Sequence, residues 1–128
     1  MQPTSDRIAA IVMRSAFVED ERRRTPRFPF IATVEVIETG APVGVAARVT
    51  ELSLYGCYVE ISSPLPKGAH AVLKVYSEGS YFESPGTVLY SQPGLDMGIG
   101  FLNVNPHYLT ILKHWLLESA QAKFGKKV

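Results

Sequence analysis

The spacing of apolar residues changes at Phe28, where a period of two begins. From Phe28 to Ile37 apolar positions alternate along the chain, which is typical of a β-strand with one buried face. Five further stretches of strand-forming residues follow, separated by turns that contain Gly, Pro or Ser: residues 43–52, 57–61, 71–76, 81–90 and 97–102. Regular short strands with this punctuation predict a small antiparallel barrel or sandwich, an all-β fold.

Two strands carry further detail. Val45, Ala47 and Val49 fall on one face of the second strand, so we expect them to point the same way. Pro85-Gly86 interrupts the fifth strand and predicts a bulge or bend there.

A helical pattern follows the last strand. Asn105 can cap a helix and Pro106 suits its first position. Leu109, Leu112 and Leu116 then recur at helical spacing. We expect this C-terminal α-helix to cover one open end or flank of the barrel.

The N-terminal residues 1–21 lie outside the strand pattern. Ile8, Ile11 and Val12 have helical spacing, but the apolar stripe is short, so an isolated helix there would be marginal. The predicted organisation is therefore a short lead segment with helical spacing at 1–21, a barrel with its helix at 22–122, and a basic tail at 123–128.

Composition excludes several classes of protein. The 128 residues suit one domain, and a net charge of +1 argues against broad nucleic-acid binding, so no DNA or RNA partner is expected. No apolar run approaches the roughly 20 residues that span a bilayer, so no membrane partner is expected. A single cysteine, Cys57, excludes an internal disulfide and fits a reducing compartment. The expected location is the cytoplasm.

The residues favour a binding protein over an enzyme. His70, His107 and His114 are scattered, with no partners at metal-ligand spacing. Cys57 follows a turn glycine, where a small buried side chain is common. No nucleophile elbow or glycine-rich loop opening a helix is present. We expect no catalytic residue, no metal and no cofactor.

Two segments carry the candidate binding chemistry. Arg22, Arg23, Arg24 and Arg27 form a cluster without acidic residues, and the planar guanidinium matches phosphates and guanine edges. Glu51, Ser53 and Gly56 place a carboxylate, a hydroxyl and a glycine around a turn, which suits close approach of a ligand. We predict that the two segments meet in the folded protein and hold an anionic nucleotide.

These segments resemble the motifs of the PilZ domain family. Arg23-Arg24-Thr25-Pro26-Arg27 matches its Arg-x-x-x-Arg motif, and Glu51-Leu52-Ser53-Leu54-Tyr55-Gly56 matches Asp/Asn-x-Ser-x-x-Gly at serine and glycine. The strand Met97-Gly98-Ile99-Gly100-Phe101 and the closing helix also resemble the family, over residues 20–120. The resemblance implies a six-stranded antiparallel β-barrel with a C-terminal helix that binds cyclic di-GMP.

The resemblance also implies a role for each residue. Arg23 and Arg27 would grip guanine edges and phosphates, with Arg22 and Arg24 as auxiliaries. Ser53 would donate to a phosphate or order the turn, and Gly56 would let backbone and ligand approach. Glu51 departs from the family's Asp or Asn by one methylene, so we expect weakened rather than abolished binding. It could instead pair with Arg23 or Arg27 and hold the site closed.

The function implied is a cyclic di-GMP effector, a monomer or homodimer, that changes conformation and signals to an unidentified protein partner. An alternative is a degenerate PilZ-like domain that binds no nucleotide and acts through protein contacts. A third hypothesis is a small-barrel nucleic-acid binder that uses the arginines with aromatic stacking surfaces.

Overall fold

The structure, a computed structural model, describes residues 26–124 and contains six strands followed by one helix. The elements are β1 (Phe28–Glu38), β2 (Val45–Leu52), β3 (Gly56–Glu60), β4 (His70–Ser77), β5 (Ser80–Gln92), β6 (Asp96–Phe101) and α1 (Pro106–Phe124). Neighbouring strands are antiparallel, and the order β1-β2-β3-β6-β5-β4 closes into a barrel through pairing of β4 with β1. The predicted six-stranded barrel with a C-terminal helix is confirmed. The lead segment 1–21 and residues 125–128 of the tail lie outside the described residues.

The barrel interior is filled by alternate residues of every strand. On β1 the inward positions are Ala32, Val34 and Val36. Their partners on β2 are Val49, Ala47 and Val45, which share one face as predicted, but Val45 at the start of the strand is 55% exposed. The largest fully buried side chains are Phe82, Leu52, Leu73, Met97 and Leu112. Burial of each such side chain contributes roughly 1.5–3 kcal/mol, so this interior is the main source of stability.

Helix α1 packs against β1 and β5 of the barrel. Its first turn is capped by Asn105, whose Oδ1 accepts a hydrogen bond of 2.8 Å from the His107 backbone N–H. Leu112 and Trp115 are buried, and the Trp115 ring lies 5.1 Å from that of Phe30, between centroids. No helix among the described residues is both long and apolar enough to cross a bilayer.

Two bulges reverse the inward–outward alternation at the place where the candidate site forms. In β2 the register against β3 shifts between Val49 and Glu51, and in β5 the register against β6 shifts between Val88 and Tyr90. Val49 and Val88 point inward, so simple alternation would also bury Glu51 and Tyr90. The extra residue in each strand turns these two side chains outward.

The bulge expected at Pro85-Gly86 therefore lies further along β5. Pro85 and Gly86 pair in regular register with Val72 and Ala71 of β4. Proline has no backbone N–H to donate, but its carbonyl still takes part in pairing: Pro85 O accepts a 2.9 Å hydrogen bond from the Leu102 N–H.

Candidate functional site

A row of residues crosses the outer surface of the barrel over four adjacent strands. Glu51 of β2 pairs with Tyr58 of β3, Tyr58 pairs with Gly98 of β6, and Gly98 pairs with Tyr90 of β5. Arg27 precedes β1, whose Pro29 pairs with Glu51. The row borders a cleft of about 220 Å³ that is also lined by Leu52, Ser53, Gly56, Cys57, Leu89 and Ile99.

This cleft brings together the predicted site residues that the structure describes. Arg27, Glu51, Ser53 and Gly56 all line it, although Arg27 is far from the other three in sequence. Arg22, Arg23 and Arg24 lie outside the described residues. Closed-barrel topology explains the meeting, because the beginning of β1 lies beside the end of β2, where Phe28 pairs with Leu52.

Ser53 organises the turn between β2 and β3. Its Oγ accepts hydrogen bonds from the backbone N–H groups of Tyr55 and Gly56, each at 3.2 Å. The same hydroxyl donates to Gly56 O at 3.3 Å. The Ser53 N–H also donates to Gly56 O at 2.9 Å. Because Ser53 is buried and its hydroxyl is engaged within the turn, its contribution to the cleft is the shape of that turn.

Gly56 is required by the barrel itself. A Cβ at this position would overlap the carbonyl oxygen of Ile99 on β6, which is backbone and has no room to move. The absence of a side chain therefore permits close approach of two strands under the cleft. Its contribution to ligand approach stays a prediction.

The two charged residues of the cleft are separate from each other. The Arg27 guanidinium carbon lies 4.9 Å from the Tyr58 ring centroid, a cation–π contact. The ion pairs found within residues 26–124 join Arg48 to Glu60 and His114 to Glu118, and neither includes Arg27 or Glu51. The alternative in which Glu51 pairs with Arg27 and closes the site is therefore not what the structure has.

Sequence reasoning missed the aromatic part of the cleft, formed by Tyr58 and Tyr90. Their rings meet edge to face with centroids 5.7 Å apart and planes at 88°. The Tyr90 hydroxyl donates to Asp96 Oδ1 at 3.3 Å. Burial, and then the negative charge of Asp96, raise the pKa of Tyr90 to about 12. The available signal was that Tyr58 is the outward residue between Cys57 and Val59, directly after the Ser53–Gly56 turn.

Gly98 makes space for this aromatic pair. A Cβ there would lie 2.6 Å from Tyr90 Cδ1 and 3.3 Å from Tyr58 Cε1, so any larger residue would displace the rings. The glycine at position 98 of strand β6 thus has a specific cause in the packing of these two rings.

The chemistry of the cleft is that of binding. Burial raises the pKa of the Cys57 thiol to about 12, so its nucleophilic thiolate is scarce at neutral pH. Across residues 26–124 there is no group of three or more His, Cys, Asp or Glu side chains that could hold a metal ion. The groups offered to a ligand are a guanidinium, a carboxylate, aromatic rings and turn backbone.

Similarity to known proteins is found among solved structures rather than among curated sequences. No curated protein sequence matches the chain. Among solved structures, it is similar to the PilZ domain of YcgR from Escherichia coli with c-di-GMP, at 17% identity and a TM-score of 0.65, covering 83% of this chain and 97% of that one.

Two longer structures are also similar in fold. They are YcgR from Escherichia coli in complex with c-di-GMP (18% identity, TM-score 0.69, 83% of this chain and 49% of that one) and the Bacillus subtilis inhibitor of motility MotI/DgrA (16%, 0.63, 82% and 52%). The chain thus spans about half the length of these two proteins. The family model for the PilZ domain matches residues 21–118, most of the sequence, and the chain therefore belongs to the PilZ domain family.

Proposed function

We propose that this protein is a cyclic di-GMP-binding effector domain, and that the nucleotide occupies the cleft bordered by Arg27 and the Glu51–Gly56 turn. The observation that carries the proposal is that Arg27 of the first motif lines the same cleft, on the outer surface of the barrel, as Glu51, Ser53 and Gly56 of the second. Family membership, and the presence of c-di-GMP in the YcgR structures of the same fold, support it.

Arg27 supplies the main recognition group among the described residues. Its guanidinium is exposed and unpaired with any carboxylate of residues 26–124, so little has to be broken when a ligand arrives. Guanidinium donors match the O6 and N7 atoms of guanine and the oxygens of phosphate. Arg23 would act in the same way from the preceding segment, with Arg22 and Arg24 as auxiliaries.

The remaining residues shape and close the site. The Ser53 hydroxyl keeps the turn in place and Gly56 allows strand β3 to approach β6, so both act on the ligand through backbone position. The Glu51 carboxylate, which makes no hydrogen bond within the described region, is free to accept from guanine N1 and N2.

The cleft is small for a dinucleotide. Ligand pockets usually have volumes of about 300–1,000 Å³, against about 220 Å³ here. The described residues would therefore supply one side of the site, and residues 22–25 would complete it over the ligand. Closure of that segment would reposition residues 1–21 and signal to a protein partner, an effect that requires the nucleotide to prefer the closed form.

Titration calorimetry with cyclic di-GMP tests the proposal. Arg27→Ala and Arg23→Ala should each weaken binding by about 5- to 150-fold, since a bidentate guanine contact contributes roughly 1–3 kcal/mol. Lys113→Ala, which removes an exposed cation on α1, is the matched control and should bind normally. Heat of binding that survives Arg27→Ala unchanged would contradict the assignment.

A degenerate domain is the second candidate, and Glu51 is the residue that favours it. Its longer side chain stands where the family prefers Asp or Asn. No heat at millimolar cyclic di-GMP, together with a stable homo- or hetero-complex, would select a domain that acts through protein contacts alone.

Three further expectations belong to the same proposal. The protein would work in the cytoplasm as a monomer or homodimer, and it would bind neither DNA nor RNA because its net charge is only +1. A salt-dependent gel shift with single-stranded nucleic acid would overturn the last of these. Sedimentation with and without cyclic di-GMP would give the oligomeric state.

A further inference from the structure

The face of Tyr58 is occupied by the guanidinium of Arg27, and this contact suggests a role that the family's motif residues leave unassigned. We propose that Tyr58 is a positioning residue, whose ring holds Arg27 flat at the mouth of the cleft so that the opposite face of the guanidinium is offered to a purine base. This inference rests on the proposed function and names how its principal arginine is prepared for the ligand.

The first support is the environment of Arg27. Its guanidinium carbon lies 4.9 Å from the Tyr58 ring centroid, within the range of a cation–π contact. Arg27 is exposed, and no ion pair within residues 26–124 holds it. Among residues 26–124, the Tyr58 ring is therefore the group that limits the motion of the Arg27 guanidinium.

The second support is that Tyr58 is itself held in place. Tyr90 meets it edge to face at 5.7 Å, and the Tyr90 hydroxyl is tied to Asp96 at 3.3 Å. Both rings converge over Gly98, where a Cβ would leave too little space for them. The bulge in β5 is what turns Tyr90 outward to join this arrangement.

The consequence for the ligand follows from the shape of the guanidinium. A planar cation that lies over a tyrosine ring can stack its other face against a flat base, which would give a ring–guanidinium–base stack. An arginine held in this way also loses less conformational freedom when the ligand binds. Tyr58 would thereby increase affinity without touching the nucleotide.

A double-mutant cycle measured by calorimetry with cyclic di-GMP tests this role. Tyr58→Leu should weaken binding about two- to fivefold, the value of a partly exposed cation–π contact. Tyr58→Phe keeps the ring and should bind normally, and so should Tyr76→Leu, an exposed tyrosine outside the cleft. In an Arg27→Ala background, Tyr58→Leu should cause no further loss.

The Nε–Hε NMR resonance of Arg27 gives a second measurement that needs no ligand. In the free protein it should carry a ring-current shift that disappears in Tyr58→Leu, persists in Tyr58→Phe and is reduced in Gly98→Ala. An unshifted resonance in the wild-type protein would overturn the inference whether or not the nucleotide binds.

The outcomes separate the inference from the proposed function. Equal losses for Tyr58→Leu with and without Arg27 would overturn the positioning role, because Tyr58 would then act independently of the arginine. Normal binding by Tyr58→Leu alongside weak binding by Arg27→Ala would overturn the inference and leave the proposed function standing. If the wild-type protein did not bind cyclic di-GMP, the proposed function would fail. The Nε–Hε resonance of Arg27 would still show whether the Tyr58 ring holds the guanidinium.

Discussion

Two aromatic clusters lie against the same barrel and differ in what surrounds them. The sealed cluster joins β1, β5 and α1, and its members are Phe30, Phe82, Tyr108 and Trp115. Phe82 and Trp115 are 0% and 4% exposed. The open cluster, Tyr58 and Tyr90, is half-buried and carries an exposed cation, Arg27, on one ring face.

The difference separates a role in stability, for the sealed cluster, from the binding role that we propose for the open one. In the sealed cluster Phe82 and Trp115 are removed from water, with Phe30 and Tyr108 partly buried against them, and this burial stabilises the fold. In the open cluster Gly98 leaves room for both rings and the bulge in β5 turns Tyr90 to the surface, where polar edges and a cation stay accessible. Both clusters consist of aromatic side chains, so the two roles are separated by the surroundings of the rings and not by the rings themselves.

The largest expected effect comes from breaking the sealed cluster. Trp115→Ala should lower the free energy of unfolding by about 3–5 kcal/mol, the usual cost of emptying a large buried aromatic position. Urea denaturation measures it. Leu117→Ala, two residues along α1 and 57% exposed, is the control. It should change stability by less than about 1 kcal/mol.

The comparison requires that Trp115→Ala leave the cleft intact. Below its unfolding midpoint the variant should bind cyclic di-GMP with the affinity of the wild-type protein, because α1 contacts β1 and β5 away from Glu51 and Tyr58. A large loss of affinity in folded protein would mean that the two clusters are coupled, and the distinction between them would fail.

The fold was largely predictable from the sequence, because its signals are local. Alternation of Ala32, Val34 and Val36 predicts β1, and Asn105-Pro106 predicts the beginning of α1. Bulges were the exception. Thr50 and Leu89 look like ordinary strand residues, and Pro85-Gly86, which has the composition of a bulge, pairs regularly. Bulge position depends on the partner strand, which a single sequence does not specify.

Only part of the candidate site was predictable from the sequence, namely the part whose signals are local. Arg27, Ser53 and Gly56 sit in short motifs whose spacing can be read along the chain. Tyr90 and Gly98 join the site through cross-strand pairing, and Tyr90 faces outward only because of the bulge before it. No periodicity in the sequence places a tyrosine of β5 beside one of β3, since β6 lies between them.

A comparison of the two buried serines gives the next largest effect. Ser53→Ala leaves the N–H groups of Tyr55 and Gly56 without their side-chain acceptor, and Ser84→Ala removes a donor from Pro85 O. Ser53→Ala should cost roughly 1–3 kcal/mol in urea denaturation, and Ser84→Ala less, about 0.5–1.5 kcal/mol, because Pro85 O keeps its hydrogen bond from the Leu102 N–H. Only Ser53→Ala should also weaken binding of cyclic di-GMP, since Ser84 lies outside the cleft lining. If Ser53→Ala and Ser84→Ala bound cyclic di-GMP with equal affinity, the turn at Ser53 would not contribute to the site.

The free energy of unfolding at alkaline pH depends on how far the open cluster is shielded from water. The pKa of Tyr90 is raised from 10.0 to about 12, first by burial and then by Asp96. The native state therefore keeps the phenol proton at a pH where the unfolded chain has lost it. This contribution to stability is complete below about pH 10 and is lost as the pH rises towards 12.

Urea denaturation across this pH window, with tyrosinate absorbance as a second measurement, compares wild-type protein with Tyr90→Phe. The decline in the free energy of unfolding should be shallower in the variant. Cys57, whose pKa is also raised, is present in both proteins and cancels. If the free energy of unfolding declined equally with pH in both proteins, Tyr90 would be as hydrated in the native state as in the unfolded chain. The open cluster would then not be shielded from water.

The smallest effect on stability, and the sharpest on the ligand, is expected from Glu51→Asp. Glu51 is half-buried and makes no hydrogen bond or ion pair in the described part of the chain, so the free energy of unfolding should change by less than about 0.5 kcal/mol. Affinity for cyclic di-GMP should rise by up to about fivefold, because the shorter acid loses less rotamer freedom on binding. Glu38→Asp, at the exposed end of β1, is the control and should change neither quantity. A fall in affinity would show instead that the ligand uses the longer reach of Glu51, so that the departure from the family's Asp or Asn is an adaptation of this cleft rather than a loss.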